Sequence, residues 1–187
     1  MKTVLKKICL GLALMGIMAL LGCATNTVVP LNYALVTPAG QSCKGPVTVL
    51  EFKDARKQHS LGRDSDGYEL RPATDVGDWV SWSLYEELVA QGCSVKYRGV
   101  RRDEPVGTLV SGEVVDVRLT PMGKTVWKGM VKVAVSVERN GVSIPKETFI
   151  SEVEKPIIFG VSNREEVLTE ALQGVMEQVV PKVLGKK

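Results

Sequence analysis

The sequence contains a single histidine, His59, and that scarcity restricts the chemistry open to it. A hydrolytic centre needs a nucleophile beside a base that a third group orients. His59 is the one imidazole available as base, with Ser60 beside it and Asp54, Asp64 and Asp66 nearby, and no Gly-x-Ser-x-Gly elbow occurs anywhere in the chain. Adjacent residues rarely point into one site. A solvated loop histidine is therefore the simpler reading, and a hydrolase built on His59 is the rival; the rival requires a carboxylate or hydroxyl within hydrogen-bond reach of the ring. Metal ligation fares no better. Asp64-Ser65-Asp66-Gly67 has the composition of a calcium loop, but an EF-hand needs glycine sixth and glutamate twelfth. Here glycine stands fourth, Glu69 sixth and Asp75 twelfth, so the required turn is not provided. A turn followed by a helix cap explains these acids, and no metal or other cofactor is expected.

Two further absences narrow the class. No apolar run reaches the roughly 20 residues of a membrane-spanning helix; the longest, residues 8–21, is followed at once by Asn26 and Pro30. Nor is there a charge imbalance once the N-terminal segment is set aside. The net charge of +3 belongs to Lys2, Lys6 and Lys7, leaving 21 basic and 21 acidic residues in 23–187. Nucleic-acid binding depends on a basic surface that neutralises phosphates, so none is expected. Lys96, Arg98, Arg101 and Arg102 cluster, but Asp103 and Glu104 close the run, which reads as a solvated loop. There is no internal repeat.

What is present begins with three basic residues, the apolar run of about 14 residues and the small Gly22, the parts of a secretory signal. The quartet Leu20-Leu21-Gly22-Cys23 resembles the lipobox of bacterial lipoproteins. That resemblance implies cleavage between Gly22 and Cys23 and acylation of the Cys23 thiol with diacylglycerol and of its new amino group with a fatty acid. Each buried methylene contributes about 0.8 kcal/mol, so several acyl chains hold a protein on a membrane in effect permanently. By the rule for Gram-negative lipoproteins, an aspartate after the cysteine favours inner-membrane retention. Ala24 stands there, which implies the outer membrane, with the domain facing the periplasm. The chain thus divides into a signal (1–22), a lipidated N-terminus and flexible tether (23–45), and one domain (46–187). The tether's Thr, Asn, Pro, Gly and Ser content is turn-rich. Some 20 extended residues would reach about 60–70 Å, lifting the domain off the membrane.

Periodicity describes the domain. Residues 47–53 alternate as a half-buried strand does, and residues 54–75 read as a long polar loop. The first helix is capped near Thr74 or Asp75 and ends at Gly92, with Val76, Val80, Leu84 and Leu88 recurring every four residues and Trp79, Trp82, Tyr85 and Val89 widening the stripe. A short strand at 94–97 precedes longer ones at 108–119 and 126–139. In the latter, Val131, Val133, Val135 and Val137 face one way. Asn140-Gly141 tolerates the positive φ of a type I′ turn, so the strand at 142–153 must return antiparallel. A last helix opens with Ser162 and Glu165 at capping-box spacing, and Pro181 kinks or ends it. The expected fold is α+β: a two-layer sandwich of a mostly antiparallel sheet, four to five strands, with two helices on one face.

Two cysteines remain in the exported domain, Cys43 before the first strand and Cys93 after the first helix. An oxidising compartment permits a bond, and the helix of a strand-loop-helix unit returns toward the start of that strand. Closing about 50 residues would stabilise by roughly 4 kcal/mol in the chain-entropy model. The alternative is two separate thiols, with Cys93 buried at the helix end. Trp127, flanked by Lys124 and Lys128, is either a partner-binding indole or a cover for the core edge. The apolar connector with Ile157, Ile158 and Phe159 is an interaction patch if exposed and a staple for the last helix if buried.

The lipobox at Cys23, the tether, the strand at 47–52 followed by Asp54 and Arg56, the helix ending near Gly92 and the closing helix from Ser162 resemble the YajG-like outer-membrane lipoproteins. They are also similar to the auxiliary lipoproteins of ABC-type transport systems and to the lipopolysaccharide-assembly lipoprotein. The resemblance implies a non-catalytic envelope accessory that binds a protein, lipid or glycan partner. A hydrolase acting on envelope glycans or peptides through His59 and a lipid-carrying module are the alternatives. The latter needs a continuous apolar groove between helices and sheet.

Overall fold

A computed structural model describes residues 27–36, 43, 45–100, 106–156 and 164–185. In chain order its strands are β1 (Thr27–Val29), β2 (Val47–Leu50), β3 (Lys53–Asp54), β4 (Gly62–Arg63) and β5 (Glu69–Pro72), then helix α1 (Val76–Ala90) and β6 (Val95–Arg98). There follow β7 (Thr108–Met122), β8 (Val126–Arg139), β9 (Val142–Pro156) and helix α2 (Arg164–Leu184).

The meander β7-β8-β9 is the frame. Along β8 the odd-numbered valines 131 to 137 are buried and the alternate residues lie on the far face, the period-two pattern of a sheet covered on one side. Asn140 (φ 48°) and Gly141 (φ 80°) form the tight turn into β9, and Val137 pairs with Ile144 across the hairpin. Both helices pack on the valine face. On α2 the buried residues Val167, Leu168, Ala171, Leu172, Val175, Met176, Val179, Val180 and Val183 form one stripe. Asp75 caps α1, its carboxylate accepting from the Asp78 amide at 3.0 Å. α2 continues past Pro181 to Leu184 rather than ending there.

The main sheet is mixed and six-stranded rather than the expected mostly antiparallel sheet of four to five strands. Its order is β6-β2-β7-β8-β9, with β3 also on β7, and β2 runs parallel to both of its neighbours. The cause is visible in burial. Val47, Thr48 and Val49 are all buried, so β2 is covered on both faces as central parallel strands are, and not half-exposed as alternation suggested. The 54–75 stretch is likewise more than a loop. β5 pairs antiparallel with β4 and parallel with β1 in a second, three-stranded sheet, and the Leu119 amide donates to the Leu61 carbonyl at 2.7 Å, fastening this sheet to β7. Leu61 and Leu70 are its wholly buried anchors.

The largest departure concerns the tether. Residues 27–36 lie against the domain, with Val29 buried in the core and β1 built into the small sheet. They form a partial third layer over the helices.

Close approach of α2 to β8 rests on Gly129, where an added Cβ would come within 2.6 Å of Val167 Cγ1 and 3.0 Å of the Val167 carbonyl oxygen. Since backbone cannot yield as a side chain can, Gly129→Val is predicted to destabilise the domain by about 1–3 kcal/mol. A urea-unfolding midpoint well below that of the wild type is the expected result.

Candidate functional site

Two clusters of polar side chains stand out, one at the His59 corner and one along α1. At the corner, Arg56 is buried and grips Asp54 with two parallel bonds, Nε to Oδ1 at 2.9 Å and Nη2 to Oδ2 at 2.8 Å. The Arg56 guanidinium is the chief reason the Asp54 carboxyl titrates far below the usual carboxylate range. Burial opposes it, and the Arg56 amide and His59 add to it. Arg56 Nη1 is buried without a hydrogen-bond partner among the described residues. The His59 Nδ1 lies 3.1 Å from Asp54 Oδ2, so a carboxylate is within reach of the ring, which is itself 78% exposed. No hydroxyl among the described residues is hydrogen-bonded to that ring. An orienting carboxylate and a base are thus in place beside an open concavity of about 620 Å³ lined by Gln58, His59, Ser60, Arg63, Glu69 and Arg71, among others. Among the described residues, a positioned nucleophile is not.

The acids of the calcium-like segment have structural duties. Asp64 Oδ1 accepts from the Asp66 and Tyr68 amides at 3.1 and 2.9 Å, an Asx turn that shapes the β4-β5 hairpin. Asp75 is the α1 cap already described.

Along α1 a second face is buried besides the one toward the sheet. Trp79, Ser83 and Glu87 recur every four residues, and this face meets the N-terminal segment. Trp79 Nε1 donates to the Asn32 carbonyl at 3.0 Å, and the same carbonyl accepts from Thr169 of α2 at 3.0 Å. Gln173 of α2 donates to the Ala34 carbonyl at 2.8 Å. Glu87, with no exposed surface, accepts from the Tyr33 hydroxyl at 2.6 Å and the Val36 amide at 2.7 Å. Burial first, and then the Glu87 carboxyl, push the Tyr33 phenol far above its ordinary value, so it remains a donor. Both helices therefore clamp residues 32–36 by their backbone groups. Beyond them the Cys43–Cys93 disulfide, Cα to Cα 5.1 Å, ties the segment to the end of α1.

The remaining sequence candidates separate clearly. Trp127 is buried, with the Arg164 guanidinium 4.9 Å from its ring centroid, so it is a core-edge cover and not an exposed partner-binding indole. Lys128 turns instead to Glu152 at 2.7 Å. Gly22, Cys23, Ile157, Ile158, Phe159 and Ser162 lie outside the described residues. Of the helix aromatics, Trp79 is buried while Trp82 is half exposed. Trp82 stacks on Tyr85 (centroids 4.9 Å) and meets Tyr97 of the edge strand β6 edge-on (5.3 Å). The interface between helices and sheet is filled by buried side chains. Glu87 was missed because a glutamate on an amphipathic helix is ordinarily a solvent residue. Its signal was the fourfold spacing from Trp79 through Ser83.

No family model matches the chain, and no curated protein does. Solved structures do. Protein XCC0632 of Xanthomonas campestris, assigned to DUF330, is similar over 84% of this chain and 95% of its own, with a TM-score of 0.55 and 14% identity. An uncharacterised protein is similar over 85% and 99%, with a TM-score of 0.55 and 12% identity. At such identities the likeness establishes a shared fold and nothing more. A minor lipoprotein of Acinetobacter baumannii aligns over 81% and 94% at 14% identity, but its TM-score of 0.44 is too low to carry an argument.

The clamp makes a graded test possible. Glu87→Gln keeps a carbonyl acceptor for Tyr33 and Val36 and should hold stability close to wild type. Glu87→Ala leaves both donors without it, at about 1–3 kcal/mol for each buried group left unpaired. Chemical denaturation should order the three proteins as wild type, Gln variant, Ala variant.

Proposed function

We propose that this chain is a lipid-anchored, non-catalytic accessory of the cell envelope, held at the periplasmic face of the outer membrane through Cys23 and binding another envelope component. The observation that carries this reading is the clamp on residues 27–36. Only three residues separate Cys23 from Thr27, the first residue of β1. A chain whose fold starts so near its acylated residue is suited to work against a membrane surface, not at the end of a long tether. The absence of an aspartate at position 24 supports the outer membrane, and among the described residues no helix is long and apolar enough to cross a bilayer.

For a partner, the side available is that of β6. The opposite edge strand, β9, is screened by α2: Gln178 donates to the Ile150 carbonyl at 3.2 Å, and Lys155 and Lys182 reach Glu170 and Glu147 at 2.5 Å. Beside β6 sits the Trp82-Tyr85-Tyr97 group, whose rigid rings suit a protein or glycan surface. An auxiliary role in a transport system is one form such an accessory takes.

The Asp54-His59 contact at 3.1 Å favours a second reading, a hydrolase acting at the His59 corner on envelope glycans or peptides. One complementation series separates the two. Cys23→Ser should abolish incorporation of labelled palmitate, release the protein from the membrane fraction and fail to restore function to a deletion strain. His59→Ala should remain acylated and restore function fully. Loss of function in the His59 variant with normal membrane fractionation would favour the hydrolase.

A further inference from the structure

The clamp fixes where the anchor leaves the domain, and hence which end of the domain meets the bilayer. Thr27 pairs with Leu70 in β5, just after the tip of the β4-β5 hairpin. That hairpin lies at one end of the long meander, as three contacts show. The Leu61 carbonyl accepts from Leu119 near the end of β7, Asp64 lies 3.7 Å from Arg164 at the start of α2, and Arg164 covers Trp127 at the start of β8. Trp127 in turn pairs with Pro121, next to the turn after Met122. At the other end Asn140 bonds Gly107 in both directions, and Arg139 donates to the last carbonyls of α2. Between the two ends run the 14 residues of β8, which span about 45 Å at ~3.3 Å per residue.

From Cys23 to Thr27 there are four Cα steps, ~14 Å at full extension. Whatever path those residues take, an acyl group on Cys23 cannot enter a bilayer unless the Thr27 end lies against it. The end so placed exposes apolar side chains that no inner packing requires: Val28 beside the exit point (61% exposed), Tyr68 in the hairpin (47%) and Met122 at the β7-β8 turn (49%), with Lys124 exposed next to Met122. Tyrosine at headgroup depth keeps its ring in the apolar zone and its hydroxyl in water, and a lysine there meets lipid phosphate.

We propose that the β4-β5 hairpin and the β7-β8 turn form a membrane-apposed surface whose occupant is the phospholipid headgroup layer that holds the anchor, with Tyr68 and Met122 in contact with it and the Asn140-Gly141 hairpin pointing away. This rests on acylation at Cys23 as read above. It places β6, which through β2 lies level with Thr108–Val110, toward the end that points away from the bilayer.

The test uses the full-length, processed protein in vesicles of phosphatidylethanolamine and phosphatidylglycerol carrying a headgroup-attached quencher. Cys9 leaves with the signal, Cys23 is acylated and Cys43 is bonded to Cys93, so a single introduced cysteine is the one labelling point. Tyr68→Cys, Met122→Cys and Val142→Cys each receive an environment-sensitive fluorophore. Quenching several-fold stronger at 68 and 122 than at 142 is the expected result. Equal quenching at all three sites, or the strongest at 142, overturns the orientation while mass spectrometry of the acylated N-terminus leaves the anchor intact. A mature protein without acyl chains, or one still carrying its signal, overturns both readings together.

Discussion

Glu87 is a carboxyl group with no contact to water, placed on the middle of a helix whose other buried positions are mostly apolar. Taking such a group out of water costs several kcal/mol unless hydrogen bonds replace the lost solvation. The Tyr33 hydroxyl and the Val36 amide, both from the N-terminal segment, supply bonds to its Oε1. The dependence runs in both directions. α1 can tolerate two buried faces because residues 27–36 cover the second, and those residues are ordered because α1 and α2 offer donors to their carbonyls and an acceptor to their donors. What would otherwise be a sheet with two helices gains a partial third layer from the N-terminal segment.

The parts of the fold with long-range periodicity were legible. Eight or more residues of regular alternation in β8, a four-residue repeat in α1, and the Asn140-Gly141 turn placed their elements within a few residues of the structure. The parts that failed are short or polar. β3 and β4 hold two residues each, too few for any period, and are ordered by backbone pairing to β7 and β5. Val29, Leu31 and Tyr33 do alternate with more exposed neighbours, a strand-like signal that the surrounding Thr, Asn and Pro obscured. β2 reads as half-exposed because Thr48, polar by type, stands between two valines, yet Thr48 is buried in the sheet. At the site level the Asp54-His59 contact joins residues five apart in sequence, yet nothing in the sequence distinguishes it from two solvated side chains. Glu87 and Tyr33 stand 54 positions apart and could be paired only by the fold.

These contacts alter the meaning of the N-terminal cysteine. A lipid attached at the head of a 20-residue flexible tether would leave the domain free to sample a shell of about 60–70 Å. With the segment clamped, the lipid proposed at Cys23 would hold the domain against one surface and in one orientation. The clamp is closed at its far end by Cys43–Cys93, so the segment is tied at the disulfide as well as at Glu87. Under the proposed function, partner binding would take place within the thickness of one domain from the bilayer.

Amide hydrogen exchange on the lipidated protein tests the clamp most directly. If residues 27–36 belong to the fold, the Val36 amide, bonded to Glu87, and the amides of β1 should exchange slowly, with protection approaching that of β7 and β8. Exchange across 27–36 at the rate of an unstructured peptide, with the meander still protected, would contradict the account and restore a free tether.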